Sequence, residues 1–276
     1  MPTDRAALLD LAVQIAEEAG TLLAGFAQRR IDGEDLGVSV KSSATDPVSE
    51  ADRAAERLIA ERLLAARPDD GMLGEEDQAS RRGTSGLRWV VDPLDGTVNF
   101  LYGLPAWSVS VACEDERGTL IGVVHHPSSG QTFRASRGDG AWRGSQRLAV
   151  SRVEDLAAAL IATGFSYDPA TRVDQARDLL RLMPIVRDVR RFGSAALDLA
   201  WCAEGRMDGY VEFGLQPWDW AAGALLVTEA GGTFSLLQRR LGGRQHQGLA
   251  AAGPAVHAAL LAWQQVPLGP AEEAGA

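Results

Sequence analysis

The sequence predicts a layered α/β protein of two closely joined halves. Three features carry that expectation: an amphipathic helical opening, a series of short apolar strands set off by turn residues, and an alternation of strand and helix patterns beyond about residue 150. The chain has 276 residues, 46% of them hydrophobic and 23% charged, which is an ordinary globular composition with enough length for a substantial core.

From about Thr3 to Arg30, Leu8, Leu9, Ala12, Val13, Ala16, Ala19, Leu23 and Phe26 recur at three- and four-residue intervals, which predicts a helix. Ile31 to Thr45, with Gly33 and Gly37, breaks the period and reads as an exposed loop or short hairpin. A second helix, about Ser49 to Ala66, puts Ile59, Leu63 and Leu64 on one face and stops at Pro68-Asp69-Asp70-Gly71. Met72-Leu73, Trp89 to Val91, Trp107 to Cys113, Leu120 to His125 and Gln131 to Ala135 read as strands. Turns at Glu114 to Gly118 and Pro127 to Gly130 join them as a meander.

The second half reads as a strand at Leu156 to Ala162, a helix at Thr171 to Met183, and a helix at Ala195 to Glu204 closed by Gly205. A strand at Gly209 to Phe213, a helix from Trp218 to Ala230, strands near Phe234 and Ala250 and a last helix from Pro254 follow. The expected division is an N-terminal half over 1–150, a C-terminal half over 151–266 and a frayed tail over 267–276.

A net charge of −10 argues against nucleic acid and against an anionic membrane surface, since both call for clustered basic side chains. Cys113 and Cys202 are far apart and form no CxxC pair, so the sequence fits a reducing cytoplasm and offers no thiolate metal site. No Walker loop surrounds the single Lys, Lys41; no G-x-S-x-G elbow occurs, and the four His have no zinc spacing.

Carboxylates remain, in four places: Asp46 to Asp52, Glu75-Glu76, Asp92 to Thr97, and Trp218-Asp219. In the third, an apolar strand, Trp89-Val90-Val91, runs into Asp92-Pro93-Leu94-Asp95-Gly96-Thr97. Two acids and the carbonyl between them can meet at one point there, as hard oxygen ligands for Mg²⁺. Each group also has a plain structural reading: Asp-Pro and Asp-Gly make turns, Ser49 to Asp52 fits a helix capping box, and Asp219 suits a helix first turn.

Taken together, Gly74-Glu75-Glu76, Trp89 to Phe100, Trp218 to Gly232 and Lys41 to Asp52 resemble the signature regions of the inositol monophosphatase family, in order and spacing, across residues 38–232. The resemblance implies a five-layer αβαβα sandwich, a homodimer, and Mg²⁺-dependent hydrolysis of phosphate monoesters. By position it implies Glu75, Asp92, the Leu94 carbonyl, Asp95 and Asp219 as metal ligands, with Glu76 in support. Asp52 and Thr97 match the pair that activates the attacking water. Glu75, Asp95, Gly96, Thr97, Gly193, Ser194, Ala195, Glu212 and Asp219 match substrate-binding positions, with the N–H groups at the Ser194 helix start free for the substrate. Lys41, just before the first acidic segment, would support closure of that loop over a phosphate.

The implied substrate is myo-inositol monophosphate. Histidinol phosphate, fructose 1,6-bisphosphate, NADP and 3′-phosphoadenosine phosphates are the alternatives, and Arg191 and Asp198 bear on that choice. A metal-binding regulatory module is the reading from another class.

Overall fold

The computed structural model describes residues 4–40, 47–76 and 80–265. Helix α1 (Arg5–Ile31) starts at Asp4, whose side chain accepts the Ala7 N–H, and buries Leu8, Ala12, Ile15, Ala19 and Leu23 along one stripe. The segment after it contains a small antiparallel pair, β1 (Ser39–Val40) with β2 (Pro47–Val48), which fits the short-hairpin alternative of the expectation. Lys41 and Asp46 lie between these strands, outside the described residues. Helix α2 (Glu50–Ala66) follows the predicted capping box.

Strands β3 (Gly71–Gly74) and β4 (Arg88–Asp95) then open a seven-stranded sheet. A six-residue helix, α3 (Thr97–Tyr102), follows β4 directly. The sheet continues as a meander of β5 (Ser108–Asp115), β6 (Gly118–His126), β7 (Gln131–Ser136), β8 (Gly140–Arg143) and β9 (Gln146–Arg147). Only β3 pairs parallel in this sheet, with β4.

The second half begins with β10 (Leu160–Thr163), α4 (Pro169–Leu182) and β11 (Asp188–Arg190). Then come α5 (Ala195–Ala203), β12 (Gly209–Phe213), α6 (Pro217–Glu229), β13 (Thr233–Leu241), β14 (Arg244–Ala252) and α7 (Pro254–Gln265). The second sheet runs β11-β10-β12-β14-β13, parallel at the first three strands and antiparallel after them.

Helix character explains the layering. Helices α5 and α6 are apolar nearly all round, with Ala196, Leu197, Leu199, Ala200, Ala222, Leu226 and Val227 all buried, and such helices belong in a protein's middle. They pack on each other and on both sheets, while α1 and α2 cover the far face of the first sheet and α4 and α7 that of the second. The architecture is the expected α/β layered sandwich of five layers, αβαβα.

Some local expectations shift. Leu156–Ala158 is a 3₁₀ turn in which Asp155 accepts the Ala157 N–H, so the strand starts only at Leu160. A run of Ala and Leu carries no period that separates the two. The strands near Phe234 and Ala250 form one nine-paired hairpin through Gly242-Gly243, and the tail over 267–276 lies outside the described residues. Among the described residues no helix is long and apolar enough to cross a membrane.

Candidate active site

Strand β4 carries the centre of the site. From Trp89 to Asp95 every residue is buried, yet the strand changes from Trp and Val to acids at Asp92. Its register against β5 shifts between Asp92 and Asp95, where Pro93 has no N–H to give the ladder. Gly96 ends the strand in the left-handed region, at φ 94°, and a Cβ there would stand 2.9 Å from the Ala106 carbonyl oxygen. Only glycine fits both demands. The chain then turns straight into α3, placing Thr97 beside the strand end.

A cleft of about 420 Å³ opens over this point. Its lining gathers Glu75 from the end of β3, Asp92, Leu94 and Asp95 from β4, Gly96 and Thr97, Glu212 from β12 and Asp219 from the first turn of α6. Gly193 and Ala195 line it as well, and Arg191 is the one cationic residue of the lining among the described residues.

Several acids do structural and site work at once. Asp52 accepts the Ser49 N–H on Oδ2 at 2.8 Å, closing the capping box, while the Thr97 hydroxyl lies 2.9 Å from Oδ1. The same hydroxyl lies 3.1 Å from the Leu94 carbonyl. Asp219 caps its own helix, accepting the Gln216 N–H at 2.6 Å, and Asp92 accepts the Leu94 N–H at 3.0 Å. The structural readings of Asp52 and Asp219 therefore hold together with their places in or beside the cleft.

At the start of α5 the structure departs from expectation. Asp95 Oδ2 accepts both the Ser194 hydroxyl and the Ala196 N–H, each at 2.7 Å, so that N–H serves Asp95 and is not free for a substrate. A carboxylate at a helix N-terminus is a favoured pairing. Ser194 itself is fully buried and does not line the cleft, which is bounded there by Gly193 and Ala195. Glu76 is tied from behind: its N–H donates to Glu56 Oε1 at 3.1 Å. Glu56, four residues after Asp52 on α2, was not anticipated, although that spacing puts both on one helix face. Tyr210 was also missed, two positions before Glu212 and so on its side of the strand.

The electrostatics are strained. Burial, then the charges of Glu75, Asp95 and Asp219, push the Asp92 carboxyl well above the usual carboxylate range. Burial and the charges of Asp95 and Glu75 do the same to Asp219. Burial raises Asp95 to about 6 against its hydrogen bonds from Ser194 and α5, and raises Glu212 to about 7. Crowded carboxylates with a single cationic neighbour, Arg191, are what divalent cations relieve, and carboxylates with a carbonyl are the donor set of a hard ion. The residues present fit such an ion. As the side chains stand, no three His, Cys, Asp or Glu side chains among the described residues are grouped to hold a metal.

The profile of the inositol monophosphatase family matches residues 4–266. The chain belongs to the inositol monophosphatase family. It is 43% identical over 268 residues to an inositol-1-monophosphatase of Mycobacterium leprae, covering 90% of this chain and 91% of that one. It is 41% identical over 226 residues to a protein of Pasteurella multocida named Nus factor SuhB, covering 82% and 83%. The crystal structure of the extragenic suppressor protein SuhB from Bartonella henselae superposes with a TM-score of 0.84 at 38% identity, covering 94% of this chain and 98% of that one. Membership in this family makes the chain a phosphatase acting on small phosphate esters.

Proposed function

We propose that the protein is a Mg²⁺-dependent phosphate monoester hydrolase whose substrate is myo-inositol monophosphate. The observation that carries this reading is the convergence of Asp92, Asp95, Asp219 and Glu75 on one cleft whose lining, among the described residues, holds Arg191 as its one cation. Glu75, Asp92, the Leu94 carbonyl, Asp95 and Asp219 would hold the ion. When bound there, Mg²⁺ supplies positive charge for the phosphate and the leaving alkoxide and lowers the pKa of water.

The chain's own residues account for the rest. Thr97 Oγ, with its hydrogen directed to Asp52 Oδ1, keeps lone pairs toward the cleft and can receive a proton from the attacking water while passing its own to Asp52. Positioned proton transfer of this kind is worth roughly 10²–10⁴ in rate. The capping box holds Asp52 in place from its other oxygen. Gly96 and Gly193 let backbone come close to the ester, and Glu212 accepts from a substrate hydroxyl. Ser194, being buried, acts by orienting Asp95.

A cytoplasmic homodimer is part of the same reading: the buried, unpaired cysteines fit a reducing compartment, and the dimer rests on the family resemblance. The name Nus factor on two relatives favours a second role for this fold in those proteins. Here the complete acid set supports hydrolysis.

Phosphate release from myo-inositol 1-phosphate, histidinol phosphate, fructose 1,6-bisphosphate and 3′-phosphoadenosine 5′-phosphate, with and without Mg²⁺, tests the proposal. Mg²⁺-dependent turnover preferring the inositol ester is expected. Preference for another ester would move the substrate, and metal-independent turnover would remove the metal role.

A further inference from the structure

Glu212 is held by two groups that the catalytic reading does not use. Tyr210 precedes it by two residues on β12, and its hydroxyl donates to Glu212 Oε2 at 2.6 Å. The Tyr210 side chain is fully buried in the core between the two sheets. Burial, followed by the charges of Glu212 and Asp198, pushes its pKa up, so it keeps its proton and has a single hydrogen to give. Phenylalanine would fill the same space; the hydroxyl adds only the contact with Glu212.

Gly164, the residue after β10, is the second group. A Cβ there would lie 2.0 Å from Glu212 Oε2 and 2.4 Å from Oε1, so backbone lies flush against the carboxylate. A carboxylate on a two-carbon stem ordinarily swings among rotamers, and fixing it costs side-chain entropy. Here one neighbour ties Oε2, and the other leaves room for the head group in that place alone.

We propose that Tyr210 and Gly164 are positioning residues that hold Glu212 with Oε1 presented to a ring hydroxyl, making the cleft selective for polyol phosphates over phosphate esters that lack a hydroxyl at that place. This deepens the functional reading above and rests on it.

The test is steady-state kinetics of wild type, Tyr210→Phe and Gly164→Ala on myo-inositol 1-phosphate and on 4-nitrophenyl phosphate, which has no ring hydroxyl, with thermal melts alongside. A hydrogen bond to a charged acceptor sets the scale. Tyr210→Phe should lose about tenfold in kcat/KM on the inositol ester, through KM, with kcat and the nitrophenyl activity changed less than about twofold. Gly164→Ala should move the same way, which keeps the test intact if either variant folds poorly. In a Glu212→Gln background, Tyr210→Phe should add nothing further, because it acts through Glu212. Equal losses on both esters, or an undiminished Tyr210→Phe effect without Glu212, would mean a role in stability alone and would overturn the proposal. A wild type with no preference for the inositol ester overturns the functional reading first; a preference kept by both variants overturns only this inference.

Discussion

Two carboxylates on neighbouring stretches of chain are equally hidden and opposite in character. Asp70, just before β3, is 1% exposed, and Asp92, in β4, is 2% exposed. Asp70 receives two hydrogen bonds from the Arg67 guanidinium, at 2.9 and 3.1 Å, and one from the Trp89 indole at 3.0 Å. Burial works to raise its pKa, but the bonds from Arg67, Ser85 and Trp89 outweigh it and hold the group below the usual range. Asp92 has one backbone N–H and three acids for company, and burial together with those charges drives it well upward. Burial of an acid is thus uninformative by itself. What separates a structural acid from a functional one is whether the chain supplies its countercharge.

The largest expected effect comes from breaking the unpaired side of that comparison. Asp92→Asn keeps the shape and can still accept from the Leu94 N–H, but removes a charge and, on the proposed reading, a ligand. Phosphate release should fall about 10³-fold or more. Measured in chelator, the variant should melt no lower than wild type and gain about 1 kcal/mol, since a buried repulsion is gone. A fall in both activity and metal-free stability would place Asp92 with Asp70 as a structural acid.

Breaking the paired side should do the reverse. Arg67→Ala leaves Asp70 buried with Trp89 and Ser85 alone. Because Arg67 is itself 37% exposed, the cost should be about 2 kcal/mol, below that of a fully buried pair, with turnover unchanged. Asp70 sits below its unfolded value, so the stability it brings is present above about pH 4 and is lost as pH falls through the folded value. Chemical denaturation of wild type and variant at pH 7 and pH 3 should therefore show the difference shrinking at the lower pH.

The acids of the cleft have the opposite sign. Asp95 at about 6 and Glu212 at about 7 bind protons more tightly folded than unfolded, so in chelator stability should fall as pH rises from about 4 through 7. With Mg²⁺ present the slope should reverse, because the ion needs the deprotonated ligands. A melting series at several pH values with and without Mg²⁺ checks this. Identical slopes would show that the ion does not bind at these carboxylates.

How much of this was legible beforehand follows from range in sequence. The acids of β4, the capping box at Ser49 and the helix starting near Pro217 are contiguous patterns, and local chemistry displays them. The bond between Asp95 and the start of α5 spans about a hundred residues, and nothing near either partner announces it. That contact is why Ser194 is buried behind the cleft. Tyr210 was missed for a different reason: an aromatic on a buried strand looks like core, and only the neighbouring Glu212 gives its hydroxyl a use. The five-layer order rested on resemblance, since α5 and α6 look merely apolar until two sheets are seen to need filling between them.

The smallest effect concerns Asp52, which belongs to both sides of the comparison. One oxygen closes the first turn of α2 and the other meets Thr97, so structure and site share a single carboxylate. Ser49→Ala removes the hydroxyl that accepts the Ala51 N–H and donates to Asp52, but leaves the Ser49 backbone N–H on Oδ2. The lost cap should cost about 1 kcal/mol, a melting shift of roughly 2–4 °C for a chain of this size. Turnover should fall by only a few-fold, because the remaining N–H still holds Asp52 toward Thr97, and Ser49→Thr should restore both. If turnover fell as far as in Asp52→Asn while the melting shift stayed small, the hydroxyl of Ser49 would be aligning the proton acceptor as well as starting the helix, and the capping box would have to be counted as part of the active site.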